Sequence, residues 1–117
     1  MKTKWWFYSQ NNPGGSFEFT DKLSHYMIIE ACSASHADLR LEELGGYFDG
    51  CDNGTDCSCC GDRWSRAYGE GDSEPAYYGT PLDKAESIFT WRNDGRGEIF
   101  VVPLEGPARE HIVKKSA

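Results

Sequence analysis

The chain has 117 residues, of which 38% are hydrophobic and 14% aromatic, and its formal net charge is −7 at pH 7. This length favours a single domain over residues 1–117, with enough apolar residues for a modest core. The acidic charge disfavours binding to duplex nucleic acid, where lysine and arginine contacts to phosphate dominate the affinity. No apolar run is long enough to span a membrane. The charge is concentrated, because residues 38–74 hold ten acids and three arginines.

The first part of the chain predicts strands. Residues 3–9, TKWWFYS, are β-branched and aromatic and predict the first strand. A turn-rich loop at 10–16 separates them from a short strand at 17–19, so these two strands are expected to form a hairpin. Residues 25–31, HYMIIEA, predict a third strand that is buried on at least one face.

A short amphipathic helix is predicted over residues 36–44. Ser35 is a suitable N-cap, and the apolar residues that follow it repeat at helical spacing. The glycine pair at 45–46 is typical of a helix C-terminus. Residues 47–48 then predict a short strand or an extended segment that leads into a loop rich in cysteine.

The second half predicts one more helical segment and two strands. Thr80 and Pro81 resemble a cap followed by an N1 proline, which predicts one or two helical turns. Residues 87–92 alternate apolar and polar side chains, a turn signal follows at 93–95, and residues 98–102, EIFVV, predict the returning strand of a hairpin. The tail from residue 108 onward is expected to be a short helix, or to be ordered only by a partner. The predicted fold is therefore α+β: an antiparallel β-sheet with one main helix and a long irregular loop that contains the cysteines.

Four of the five cysteines lie close together, at Cys51, Cys57, Cys59 and Cys60. They contain one Cys-x2-Cys knuckle, whereas structural zinc sites usually combine two. Three interpretations stay open: small thiols that pack inside the loop, a structural zinc site, and a redox pair. The first is favoured, because cysteine packs as a small apolar residue. No metal ion or other cofactor is therefore predicted.

Three clusters suit the binding of a phosphorylated base, because arginine binds phosphate through two parallel hydrogen bonds and an aromatic ring stacks on a base. They are an arginine next to a tryptophan, a loop of amides and glycines, and an aromatic strand that ends in polar residues. Core packing and ordinary hairpin turns explain the same residues as well. The predicted ligand-binding residues are Asn11, Asn12, Gly14, Gly15, Ser16, Arg63, Trp64, Phe89, Trp91, Arg92, Asn93 and Arg109.

Catalysis is not predicted. The histidines are scattered along the chain, the acids follow no pattern, and no nucleophile elbow is present. We therefore expect a protein that binds its target and is not an enzyme.

Three segments of the first 64 residues resemble a family of small uncharacterised proteins of tailed bacteriophages. They are QNNPGGSF (10–17), HYMIIEA (25–31) and YFDGCDNGTDCSCCGDRW (47–64). In length, α+β outline and phage setting, the chain is also similar to the Thoeris anti-defence proteins, which hold cyclic ADP-ribose signals in the pockets of homo-oligomers. The resemblance implies a homo-oligomer in the cytoplasm of the bacterial host that sequesters a cyclic nucleotide immune signal without cleaving it. It implies no membrane and no duplex nucleic acid as a partner.

Two alternative functions remain open at the level of sequence. One is an acidic inhibitor or decoy, whose segment 38–74 docks on a basic host protein. The other is a small zinc-binding protein with a structural or adaptor role.

Overall fold

A computed structural model describes residues 3–11, 20, 22–52, 54, 61–82 and 99–111. Their elements are β1 (Lys4–Ser9), β2 (Tyr26–Ala31), α1 (Ala34–Glu43), β3 (Ala76–Tyr77), β4 (Thr80–Pro81), β5 (Ile99–Val102) and β6 (Arg109–His111). The main sheet has the strand order β1-β2-β5-β6, and β3 and β4 form a separate two-stranded sheet. The predicted combination of a sheet with one helix is confirmed. Within the described ranges, no helix is long and apolar enough to cross a membrane.

The main sheet is mixed, not wholly antiparallel. β1 pairs antiparallel with β2, and β6 pairs antiparallel with β5. The central strands β2 and β5 run parallel, with Tyr26 opposite Ile99. The predicted strands at 3–9, 25–31 and 98–102 are confirmed, but the prediction of a purely antiparallel sheet is wrong. Alternation in a sequence reveals a strand and not its partner, and a parallel pair needs a long crossover, which here includes α1.

Two further strand predictions, residues 17–19 and 87–92, fall outside the described residues. The hairpins that they were expected to form stay predictions.

The central strands β2 and β5 are buried on both faces, which explains their nearly continuous apolar sequences. On the helix side, the core contains residues from β1, β2, α1, β5 and the segment after the cysteines. Its largest members are Trp6, Tyr8, Met27, Ile29, Leu41, Phe48, Trp64 and Phe100. The opposite face packs Tyr26, Ile28, Ile99 and Val101 against Trp5, Phe7, Tyr77 and Leu82.

Helix α1 begins two residues earlier than predicted. Ser33, not Ser35, is the N-cap, because Ser33 has an extended backbone and its Oγ accepts a hydrogen bond from the His36 N–H at 3.1 Å. Both serines satisfy the residue preference of an N-cap, and only the backbone conformation distinguishes them.

The predicted glycine stop of α1 is confirmed. Gly45 has a φ of +110°, and its N–H donates to the Glu42 carbonyl at 3.0 Å. The Gly46 N–H donates to the Leu41 carbonyl at 3.0 Å. These two bonds form a Schellman motif, which satisfies carbonyls at the end of the helix. Residues 47–48 then continue without forming a strand.

Residues 80 and 81 form a strand, so Pro81 is not the first residue of a helix. Leu82 has 3₁₀-helical structure, and the residues after it lie outside the described ranges, so the predicted helical turns stay a prediction. Tyr77 pairs with Thr80, so Tyr78 and Gly79 form a two-residue hairpin turn. Their φ values, 48° and 81°, are both positive, which is typical of a type I′ turn. A tyrosine is uncommon at the first position of such a turn, so the sequence carries only a weak signal for it.

Strand β6 corrects the prediction for the tail. Arg109 pairs with Val101, and the strand continues to His111. A helix over these three residues is therefore excluded, while residues 112–117 lie outside the described part of the chain.

Gly71 is predicted to be essential for packing the loop against β1. Its φ is +75°, and an added Cβ would lie 2.9 Å from both Lys4 Cβ and Trp6 Cε2. We expect Gly71→Ala to lower the free energy of unfolding in urea by about 3 kcal/mol, from backbone strain and overpacking. Gly69→Ala is the matched control: its φ of +80° is similar, but no atom lies within 4 Å. An equal loss in both variants would contradict the packing argument.

Candidate functional site

Two of the segments that carry the sequence resemblance meet at the end of β1. The Asn11 N–H donates to the Arg63 carbonyl at 2.8 Å, and the Asn11 side-chain amide donates to the Asp62 carbonyl at 3.3 Å. Residues that lie far apart in sequence are therefore joined by backbone and side-chain hydrogen bonds. We call Gln10, Asn11, Asp62 and Arg63 the motif junction.

The guanidinium of Arg63 is held in one orientation by two hydrogen bonds. Its Nε donates to the Tyr47 hydroxyl at 3.0 Å, and its Nη1 donates to Gln10 Oε1 at 2.9 Å. Gln10 is buried, and its own amide donates to the Ser24 carbonyl at 3.1 Å. Arg63 itself is only partly buried. It therefore supports the fold around it while presenting a fixed cation near the surface.

The carboxylate of Asp62 ties the motif junction to the start of the cysteine loop. The Cys51 N–H donates to Asp62 Oδ1 at 2.8 Å, and this bond, together with one from the Cys51 thiol, lowers the pKa of the Asp62 carboxyl below its usual value. Among the described residues, no group of three or more His, Cys, Asp or Glu side chains could hold a metal ion. The remaining clustered cysteines lie outside these residues, at Cys57, Cys59 and Cys60, so the structure does not test the alternative of a zinc site.

Trp64 belongs to the core and not to a ligand surface. Only 1% of its surface is exposed, and within the described structure its Nε1 has no hydrogen-bond partner. This burial corrects the expectation that Trp64 stacks on a base. The indole instead anchors the chain next to Arg63.

Arg109 lies away from the motif junction. It is exposed on β6, at the opposite edge of the main sheet from β1. Three strand spacings separate these edges by roughly 14 Å, so the described residues do not bring Arg109 together with Arg63. The other predicted ligand residues lie outside the described ranges: Asn12, Gly14, Gly15, Ser16, Phe89, Trp91, Arg92 and Asn93.

The sequence did not reveal a second feature, a groove of about 600 Å³ beside β1. It is lined by residues 5–9 of β1 and by residues 65–68, 71–72 and 78–79. This volume falls in the range of ligand-binding clefts. The aromatic residues of β1 were the only sequence signal for it, and they equally predict core packing.

A buried carboxylate fixes one wall of this groove. Asp38 is 8% exposed, and its Oδ1 accepts hydrogen bonds from the Tyr8 hydroxyl at 2.7 Å and from the Ala67 N–H at 2.9 Å. Burial and this bond to Asp38 raise the pKa of Tyr8 far above its usual value of about 10. Asp38 thus joins α1, β1 and the segment at 65–68.

Arg63 is predicted to stabilise the fold even without a ligand. We expect Arg63→Ala to lower the free energy of unfolding by about 2 kcal/mol, because the buried Gln10 carbonyl oxygen loses this charged donor. The matched control is Arg109→Ala, at an exposed position, which should change stability by no more than about 0.5 kcal/mol. Urea denaturation measures both changes, and equal values would contradict this role.

The bond between Tyr8 and Asp38 predicts a pH dependence at alkaline pH. In the folded protein Tyr8 stays protonated above pH 10, while in the unfolded chain it ionises, so stability falls as pH rises above about 10. At pH 7 we expect Tyr8→Phe to lower the free energy of unfolding by about 1–2 kcal/mol. Above pH 10 we expect the free energy of unfolding of this variant to fall less steeply than that of the wild type, by up to about 1.4 kcal/mol per pH unit. Tyr68→Phe, at a position that is 90% exposed, should behave as the wild type. Parallel curves for Tyr8→Phe and wild type between pH 9 and 11 would contradict the assignment.

Comparison with known proteins gives a family and no activity. No curated protein and no solved structure matches the chain. One family matches residues 3–116, which is nearly the whole chain, and its description is "Domain of unknown function (DUF7296)". The chain belongs to this family.

Proposed function

We propose that the protein binds and sequesters a cyclic nucleotide signal of the cyclic ADP-ribose type without cleaving it. The observation that supports the proposal is the motif junction, where Asn11 is hydrogen-bonded to both Asp62 and Arg63. The residues predicted separately as an amide-rich loop and as a phosphate-binding arginine are therefore neighbours. Such a grouping suits a ligand that combines phosphates with a base.

The chemistry of Arg63 fits the phosphate part of this ligand. Its guanidinium is already oriented by Gln10 and Tyr47, so less conformational entropy is lost when an anion binds. Charge-assisted hydrogen bonds between arginine and phosphate are stronger than neutral ones, and several of them together give the slow release that sequestration needs.

Stacking of the base is assigned to residues other than Trp64. Phe89 and Trp91 stay the predicted stacking groups, with Arg92 and Asn93 at the end of the same predicted strand. Asn12, Gly14, Gly15 and Ser16 follow Asn11 in the chain and stay predicted hydrogen-bonding groups. The proposal also includes a homo-oligomer that acts in the cytoplasm of a bacterial host.

Ligand depletion tests this proposal directly. The purified protein is incubated with cyclic ADP-ribose isomers and, separately, with cyclic oligonucleotides, and free ligand is measured after filtration. We expect one of these ligands to be depleted in proportion to the protein, and to be recovered chemically unchanged after heat denaturation. Depletion of none of them would refute sequestration, and recovery of an altered product would show an enzyme.

Two arginine variants locate the site. Arg63→Lys keeps the charge but loses the planar donor fork, and we expect it to weaken binding at least about tenfold. Arg109→Lys is the matched control, since the described structure separates this residue from the junction, and it should bind like the wild type. Equal binding by wild type and Arg63→Lys would remove Arg63 from the site. Circular dichroism confirms that each variant is folded.

The two alternatives depend on other parts of the molecule. Zinc binding depends on Cys57, Cys59 and Cys60, and measurement of zinc in protein purified without chelator tests it. Action as an acidic inhibitor depends on a protein-binding surface, and the groove beside β1 is the observation that favours it.

A further inference from the structure

We propose that the outer edge of β1 is a docking site for an extended, basic polypeptide segment, which adds to the main sheet as a further strand. This site is the groove beside β1 and includes neither Asn11 nor Arg63. Binding at the groove and binding of a nucleotide at the motif junction therefore succeed or fail independently.

The hydrogen-bonding pattern of β1 leaves part of its edge open. In an antiparallel pair, alternate residues bond to the partner strand, and those between them point their N–H and C=O groups outward. The Gln10 N–H donates to the His25 carbonyl at 2.8 Å, which places Trp5, Phe7 and Ser9 in the outward set. Trp5 exchanges both of its bonds with Asp72, at 2.9 and 2.8 Å. For the outward backbone groups of Phe7 and Ser9, the described part of the chain supplies no partner.

The open edge forms the floor of a groove with two walls. On the helix side, the wall is the segment 65–68, which Asp38 fixes through the Ala67 N–H. On the other side, the wall is the turn that contains Tyr78. The Tyr78 ring centroid lies 4.7 Å from that of Phe7, and the Tyr78 hydroxyl donates to Ser9 Oγ at 3.1 Å. An extended chain that adds to this edge would lie between these walls and meet the floor through its backbone.

The rims of the groove carry exposed aromatic side chains. Tyr68 is 90% exposed and Tyr78 is 64% exposed, and they lie on opposite walls. Tyrosine is enriched among the residues that contribute most to protein–protein binding. Side chains of an added strand alternate between the two faces of the sheet, so they would contact both tyrosines.

Charge identifies the partner as basic. The charged residues that line the groove are Asp72 and Arg66, and the buried carboxylate of Asp38 lies behind one wall. Arg66 is already paired with Asp49 at 2.7 Å. The surroundings of the groove are therefore negative, as is the whole chain, and this charge attracts a segment with lysine or arginine at alternate positions.

A second copy of the chain is a poorer occupant. A symmetric pairing of two β1 strands would require each strand to enter the groove of the other. Asp72 already occupies the place opposite Trp5, and the wall at 65–68 stands where the partner would approach. A short separate segment avoids both obstacles.

Amide hydrogen exchange with a defined peptide pool tests the proposal. The probe is a pool of capped hexapeptides with lysine or arginine at alternate positions and random apolar residues between them, at about 1 mM. Without the pool, the Phe7 and Ser9 amides should exchange fast while those of Trp6 and Tyr8 are protected. With it, we expect exchange at Phe7 and Ser9 to slow at least about tenfold, and a pool with glutamate at the alternate positions to have no effect.

Two substitutions at one position distinguish backbone pairing from side-chain contact. Ser9→Pro removes the outward N–H but no bond to β2, which is the arrangement in which edge strands tolerate proline. We expect it to weaken binding of the basic pool about tenfold, whereas Ser9→Ala should change it by less than about threefold. Equal binding by Ser9→Pro or no protection by the basic pool would overturn the proposal. So would protection of Phe7 and Ser9 without the pool: if it is independent of protein concentration, the predicted strand at 17–19 occupies this edge, and if it rises with concentration, a second copy does. If Ser9→Pro fails to fold, the exchange measurement on wild type decides alone.

Discussion

The carboxylate of Asp38 is the constraint on which the arrangement around β1 depends. It is buried, it lies on α1, and one of its oxygens accepts bonds from β1 and from the segment at 65–68. A buried charge is costly unless hydrogen bonds compensate for it. The three parts of the chain are therefore held in one relative position, since separating any of them leaves the carboxylate poorly satisfied. The groove exists because this wall is fixed at a distance from the strand edge and not packed onto it.

Local features of the fold were predictable, and long-range ones were not. The strands β1, β2 and β5 and the glycine stop of α1 follow from side-chain pattern and from glycine at a left-handed position. The parallel pairing of β2 with β5 joins segments far apart in the chain, which no local pattern encodes. The Tyr78–Gly79 turn was missed because tyrosine rarely adopts a positive φ, and here contacts with Phe7 and Ser9 accompany it.

The structure makes neighbours of two predicted site residues and buries a third for which exposure was assumed. Arg63 and Asn11 were identified separately, and the structure joins them. Trp64 was grouped with Arg63 by adjacency, but successive residues need not face the same surroundings, and its ring lies in the core. The role of Asp38 was not predicted, since sequence alone does not show that Tyr8 and Ala67 lie beside it. The open edge of β1 could not be predicted either, because it depends on the order of the strands in the sheet, which no local sequence pattern encodes.

The parallel contact between β2 and β5 also bears on how the chain reaches its folded state. Tyr26 and Ile99 become neighbours only after a very long loop has closed. Such contacts form late, because closing the loop loses chain entropy before the contact can stabilise the fold. Until β5 arrives, the pair formed by β1 and β2 exposes the inner edge of β2, whose side chains are almost all apolar. An unpaired apolar strand edge invites association with other chains. The interval between synthesis of β2 and docking of β5 is therefore when the nascent polypeptide is most prone to aggregate, and when a chaperone would benefit its yield most.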